Sequence, residues 1–404
     1  MHRYIFLILV LHAAISGSAQ NYNNNNTNSP ATNNTNKTLI NQQDTVSSVS
    51  PGLEEIQIST KKSKAYRTVP NPKFGEEAEK ADKDSNSSIQ QLKSAKYQFE
   101  TNYSNSRHQL TRRSASQEEV LNMKQGAQIY ANMLPGSFEK HFYTYLLSKY
   151  NPKQFPELQQ AANLQPTNTE VQQELAVYGV AVNDQKLADS VAVQMIAQNK
   201  ISGGLLSYAT DMVNSVPENG TLLLHGYTEL IPVNYEKNNL GRADIQLISV
   251  DLMQSPDYQA SLTAKGFVMP NSAFVDTAFV QTFCALNTSR NLFLSMSFPK
   301  EYFQGIASAL NPVGLTFAYG QAATLDYNAL NIELVETKWK KYELGIGKDP
   351  QSDALSANYL PALLSVSRLY EEYNKTEEAK EIDHIIMNVA TRARKTGQLS
   401  KIKR

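Results

Sequence analysis

Residues 217–251 read PENGTLLLHGYTELIPVNYEKNNLGRADIQLISVD. The stretch opens on a turn, Pro217-Glu-Asn-Gly220, and passes at once into the apolar run Thr221-Leu-Leu-Leu224. A short unbroken apolar run bounded by turn residues is the pattern of a strand covered on both faces. Helical text follows over 229–239, and then a second apolar run over 245–250. The alternation continues. Helices are expected over 255–265, 274–286 and 300–310, and further strands over 291–297 and 314–318. Strands separated by helices are the grammar of parallel strands joined by crossovers. Residues 217–320 are therefore expected to form a Rossmann-like α/β layer with a mainly parallel sheet.

The flanks read as helix. Before the layer, over 116–216, apolar residues recur at helical spacing through Val120, Met123, Ala127, Tyr130 and Met133. Pro135-Gly136-Ser137 breaks that helix and caps the next, which carries Phe138, Phe142, Leu146 and Leu147. After Pro166 comes a helix with Leu175, Ala176 and Val177. It ends near Asn183-Asp184, and a second helix follows with Leu187, Ala188, Val191, Ala192 and Met195. This helix-turn-helix resembles one tetratricopeptide repeat. Ala188 stands where the two helices of such a unit cross, and a small residue there lets them approach. After the layer, over 321–404, the same grammar returns. Tyr370 packs on the first helix and Ala379 stands at the crossing. The fold class expected is thus α/β with flanking all-α. If the paired helices form a groove, as such repeats do, Tyr178 and Tyr370 are the candidates to line it.

The N-terminal region has a different character. Arg3 precedes an apolar run of about 12 residues, 4–15, closed by the small residues Ser16-Gly-Ser-Ala19. That is too short to span a bilayer, which takes roughly 20 residues. It has the plan of a cleavable secretory signal ending near Ala19, and it places the mature chain in the periplasm. Residues 20–115 are rich in Asn, Ser, Thr and Lys and poor in large apolar side chains. They read as a disordered linker, with transient helix over 85–103. Within it Arg107, His108, Arg112 and Arg113 read as a solvated basic face. No later stretch reaches membrane-spanning length.

Charge and cysteine usage narrow the function classes. Lys and Arg number 38, as do Asp and Glu. Removal of the signal takes one basic residue, Arg3, and no acidic one. A nucleic-acid partner usually demands a basic excess, so none is expected. The single cysteine, Cys284, has no disulfide partner within the chain and sits in an apolar run, where it reads as a buried small hydrophobe. Beyond Asp383 no acidic residue occurs. Arg392, Arg394, Lys395, Lys401, Lys403 and Arg404 form a basic tail, either solvated or in contact with anionic lipid or cell-wall polymer.

A catalytic signature is not evident. No phosphate-binding glycine loop, zinc-spaced His pair or Gly-x-Ser-x-Gly turn is present, and no cofactor or metal is implied. The remaining candidates lie at strand ends, where open α/β sheets take their ligands. His225 and Glu229 follow the first strand and Asp251 follows the second. Either they act as acid and base, or His225 and Asp251 cap helices while Gly226 permits the turn.

Two resemblances add to this reading. The stretch Leu222-Leu-Leu-His-Gly-Tyr-Thr-Glu229, then Gly241 through Asp251, then 279–318 and the helical end, resembles the soluble C-terminal region of large Bacteroidota membrane proteins of undefined function. Their membrane half is similar to protein O-mannosyltransferases. The resemblance spans roughly 200–390. Where that family carries an acidic turn, this chain has His225-Gly-Tyr-Thr228, and the membrane half is lacking. It implies an accessory, non-catalytic role, with an envelope protein as partner. Separately, Asp44-Thr45-Val46, Asp189-Ser190-Val191 and Asp276-Thr277-Ala278 resemble the short acceptor sequence of Bacteroidota O-glycosylation, and Thr45 is the candidate for modification.

Overall fold

The computed structural model describes residues 72–107, 109–272, 274–320 and 325–402. The signal sequence and Thr45 lie outside the described residues. Residues 91–404 belong to one compact unit. A second unit spans 25–90, and its described part is the first half of a single helix.

That helix, α1 (Pro72–Arg107), is the first departure from the sequence reading. From residue 91 onward it is part of the folded body, not a linker. Ala95 and Phe99 are fully buried. Phe99 stacks on Tyr143 with ring centroids 3.7 Å apart. They share a core with α2 (Gln117–Met133), α3 (Phe138–Leu146) and α4 (Phe155–Leu164). Capping sets these helices. Ser116 and Glu119 form a reciprocal capping box at the start of α2, and the Ser137 hydroxyl accepts from Lys140 N at the start of α3.

The hairpin α5 (Thr169–Ala181) and α6 (Gln185–Ala197) follows. Asn183 takes a left-handed turn conformation, φ 59°, and the Asp184 carboxylate caps α6 by accepting from Leu187 N. Gly179 makes the tight crossing possible, because a Cβ there would lie 2.8 Å from Ala188 N. Next comes α7 (Gly203–Asn214), which leads into the sheet.

The sheet has five strands: β1 (Thr221–Leu224), β2 (Gln246–Ser249), β3 (Leu292–Ser295), β4 (Leu310–Val313) and β5 (Thr316–Tyr319). Their order is β2-β1-β3-β5-β4. β1 pairs in parallel with β2, Leu222 opposite Leu247, and with β3, Leu222 opposite Phe293. The second half is antiparallel: β5 pairs with β3 and, through a tight hairpin, with β4. The sheet is thus mixed, and the expectation of a mainly parallel one holds only for β1, β2 and β3. The expected helix over 300–310 is in fact α11 (Lys300–Phe303), preceded by α8 (Tyr227–Asn239), α9 (Pro256–Ala264) and α10 (Thr277–Leu286), and β4 begins at Leu310. Gly314 makes the β4–β5 turn at φ 56°, and a Cβ there would collide with Ser215.

After α12 (Tyr327–Glu333) and α13 (Pro350–Leu355), the second hairpin, α14 (Leu360–Glu372) and α15 (Thr376–Arg392), closes the fold with α16 (Thr396–Ile402). Asn374 turns it with φ 58°, as Asn183 does the first, and Ala379 is buried at the crossing. The sheet and both hairpins share one continuous core. The architecture is a small mixed sheet with flanking helices. The tail is not wholly free. Arg392 lies 2.7 Å from Asp353 with only 6% of its side chain exposed, and Lys395 is buried. Lys403 and Arg404 lie outside the described residues.

Candidate functional site at the strand ends

From β1 the chain connects to β2 on one side, while β3 lies on the other. The gap between the C-terminal ends of β1 and β3 is therefore a topological switch point, where a doubly wound sheet opens a crevice. All three sequence candidates, His225, Glu229 and Asp251, converge here.

Gly226 forms the corner between β1 and α8 with φ 87°, a conformation that penalises any Cβ. Its N–H donates to Asp251 Oδ2 at 2.7 Å. Asp251 thus serves the start of α8 from the end of β2. One turn into α8, Glu229 reaches back to the tip of β3. Its Oε1 accepts from Ser295 Oγ at 2.5 Å, and its Oε2 accepts from Ser297 Oγ at 2.8 Å and His225 N at 3.4 Å.

Arg113, which the sequence placed on a solvated face, lies in this cluster and is 7% exposed. Its Nη2 donates to His225 Nδ1 at 2.8 Å, and its Nε stands 3.6 Å from Asp251 Oδ1. The strap that carries it is pinned by main-chain bonds. Arg113 N donates to Val275 O at 2.6 Å, Thr277 N donates to Thr111 O at 2.9 Å, and Arg112 forms an antiparallel bridge with Asp276. Arg107 is likewise internal. It stacks on the Tyr227 ring at 4.0 Å and pairs with the buried Glu174 at 3.4 Å.

The electrostatics follow from burial and these partners. Burial pushes the Asp251 carboxyl up, but Arg113, His225 and the Gly226 N–H outweigh it and hold Asp251 below the ordinary carboxylate range. Burial and then the Arg113 guanidinium drive His225 well below its ordinary value. With Nδ1 accepting from Arg113, the ring proton belongs on Nε2, and Nε2 is buried without a hydrogen-bond partner among the described residues. The Tyr302 hydroxyl beside this ring is likewise buried and unpartnered. Burial raises Glu229 to about 7 against the pull of the two serines. The cavity left beside Arg113, lined by Tyr103, Arg107, Glu174, Tyr227 and Asp251 among others, is about 70 Å³.

Other candidates behave differently. Tyr178 is buried and stacks on Phe155 at 4.2 Å, and Tyr370 is buried with its hydroxyl donating to Glu336 at 3.0 Å. Both are packing residues, not groove-lining ones. Cys284 is buried and burial pushes its thiol up to about 12, which removes it as a nucleophile. Ser190 is exposed but lies within α6, and Thr277 opens α10. No group of three metal-ligating side chains occurs among the described residues. No described helix is long and apolar enough to cross a membrane.

Arg113, Ser295, Ser297 and Tyr302 escaped the sequence reading. Ser295 was findable, since the strand-end rule that selected His225 and Asp251 applies equally to the third strand. Arg113 carried no local signal, because the side chains it meets, His225 and Asp251, lie more than a hundred residues away. Comparison with protein-family models, curated proteins and solved structures finds no match.

Proposed function

We propose that this chain is an exported interaction or scaffold protein of the cell envelope, performing no chemistry itself and binding a partner protein through its paired helices. The observation that supports this is the closed strand-end crevice. Its place is taken by the chain's own Arg113, and the remaining 70 Å³ is a third of the volume of the cavity beside Asp211 and far below the roughly 300–1,000 Å³ of pockets that take drug-sized ligands. The hairpins, in contrast, expose large apolar side chains: Val182 and Val193 on the first, Tyr373 and Met387 on the second. Surfaces of that kind on paired-helix units suit a protein partner. We read both hairpins as tetratricopeptide-like. We read the region 200–390 as a counterpart of the soluble part of the Bacteroidota membrane proteins, and the mature chain as periplasmic.

A photo-crosslinking residue placed at Val193 or Tyr373 in cells tests the reading. One discrete adduct is expected, and Val182→Glu or Met387→Glu on the same hairpin should remove it. Absence of any adduct at both hairpins, with the chain monomeric throughout, overturns it.

A second reading has one observation in its favour. The unpartnered His225 Nε2 and the Tyr302 hydroxyl next to that ring, with Glu229 bonded to the His225 N–H, are a set of groups that an accessory subunit or enzyme of envelope glycosylation would use if the strap lifted. His225→Gln with Tyr302→Phe should then abolish function in cells at unchanged melting temperature. Survival of function assigns these groups to packing.

A further inference from the structure

A second concavity lies away from the strand ends. On α7, Gly204, Tyr208 and Asp211 recur at helical spacing and so share one face. Facing them are Lys338, Lys340, Glu343 and Lys348, from the segment between α12 and α13, with Tyr359 and Arg392 closing the wall. The cavity measures about 210 Å³.

Its charges are unbalanced. Four cations, Lys338, Lys340, Lys348 and Arg392, line it with two carboxyls, Asp211 and Glu343. Arg392 is structural, its guanidinium committed to Asp353, Ser352 Oγ and Leu344 O at 2.7–2.9 Å. The lysines are held loosely. Lys338 meets Glu333 at 3.5 Å and Lys348 meets Glu343 at 3.4 Å, in exposed pairs that contribute little. Lys340 is exposed. Like charges gathered around one concavity repel each other until a counter-charge enters. Asp211 alone does not supply it. Burial raises this carboxyl to about 7, with the Tyr359 hydroxyl, Lys348 and Lys340 pulling back, and its Oδ2 accepts from Tyr359 at 2.7 Å.

We propose that this cavity binds a small oxyanion, a carboxylate or phosphate on a hydroxylated body, with Lys340 and Lys348 holding the anion and Asp211 a hydroxyl. The volume admits a single phosphate or a sugar acid and excludes drug-sized ligands. The site is separate from the strand ends and from the exposed hairpin residues Val182, Val193, Tyr373 and Met387. The groups facing Asp211 that carry or gain charge are Tyr208, Tyr359, Lys338, Lys340, Glu343, Lys348 and Arg392. As pH falls through Asp211's range, its negative charge is lost and the cavity becomes more positive, so binding of an anion of constant charge, such as a sugar carboxylate, tightens.

The test is calorimetric titration of the full chain with inorganic phosphate and, separately, with glucuronate, at low salt and at pH 6 and 8. Saturable binding of either is expected, and glucuronate, whose own charge is constant between these two pH values, should bind more tightly at pH 6. Binding of phosphate alone assigns a phosphate ligand, binding of glucuronate alone a sugar acid, and binding of both the shared oxyanion chemistry. Lys340→Ala with Lys348→Ala should weaken it at least about tenfold, while Lys375→Ala with Lys380→Ala, outside the cavity, leaves it unchanged. Asp211→Asn keeps an acceptor for Tyr359 and should erase the pH dependence of glucuronate binding. No saturable binding of either anion, or equal weakening by the control pair, overturns the proposal.

Discussion

The strand-end cluster and the Asp211 cavity share an ingredient and differ in how it is answered. Each buries a carboxyl that burial drives to about 7, Glu229 in the first and Asp211 in the second. At the strand ends the neighbouring charge, Asp251, meets a buried arginine held by main-chain bonds, and the crevice is filled. At the cavity the cations are exposed lysines with weak partners, and the space is open. A charge balanced by a rigid internal partner belongs to the architecture. A charge surplus on flexible side chains around a concavity is available to something from outside.

Loss of the strap's anchor should have the largest effect. Arg113→Ala strands Asp251 as a buried, unpaired charge, which costs about 3–5 kcal/mol. Denaturant unfolding should show that loss, and a variant within 1 kcal/mol of the parent would place Arg113 outside the crevice.

The next effect depends on pH. Glu229 has its folded pKa raised above its unfolded value, so the folded state holds the proton longer and stability falls as pH rises from about 4.5 to about 7. His225 works in the opposite sense. Its folded value is depressed, so its share of stability is lost as pH falls below about 6.5. Glu229→Gln removes the first contribution while keeping an amide oxygen for Ser295 or Ser297. Relative to the parent, the variant should gain up to about 3 kcal/mol between pH 4.5 and 8. A parent–variant difference independent of pH would mean that Glu229 is ionised throughout.

Smaller still is the corner. Gly226→Ala forces a Cβ into a backbone at φ 87° and ψ 153° that only glycine adopts readily, and should cost about 1–3 kcal/mol by strain alone, since beyond its chain neighbours only Thr228 Oγ1 lies within 4 Å of the added carbon. At the foot of the scale, Lys340→Ala with Lys348→Ala should leave stability within about 0.5 kcal/mol of the parent. A larger loss would make these lysines part of the architecture too and erase the contrast.

The sequence was most legible where burial was complete. Leu222, Leu223 and Leu224 form an unbroken apolar run because β1 is covered on both faces, and the run announces the strand. β4 was missed because Asn311 and Pro312 dilute its pattern. Pro312 cannot donate to a ladder and is tolerated because β4 lies at the sheet's edge. The folded part of α1 was hidden by its polar text, although Leu92, Ala95, Phe99 and Tyr103 mark a thin apolar stripe. Of the strand-end site, the members that follow strands, His225, Glu229 and Asp251, were readable from position. Arg113 was not, because pairing across 112 residues leaves no periodicity in a single chain.

Arg113 is held over the strand ends by main-chain bonds and by its contacts to His225 and Asp251, and nitrogen-15 NMR of histidine-labelled protein reads the His225 contact directly. The structure requires that His225 stay neutral, with its proton on Nε2, as pH falls through the ordinary imidazole range, and that Arg113→Ala move its titration upward. A wild-type His225 that titrates near 6.5, or one whose behaviour is indifferent to Arg113, would contradict the account.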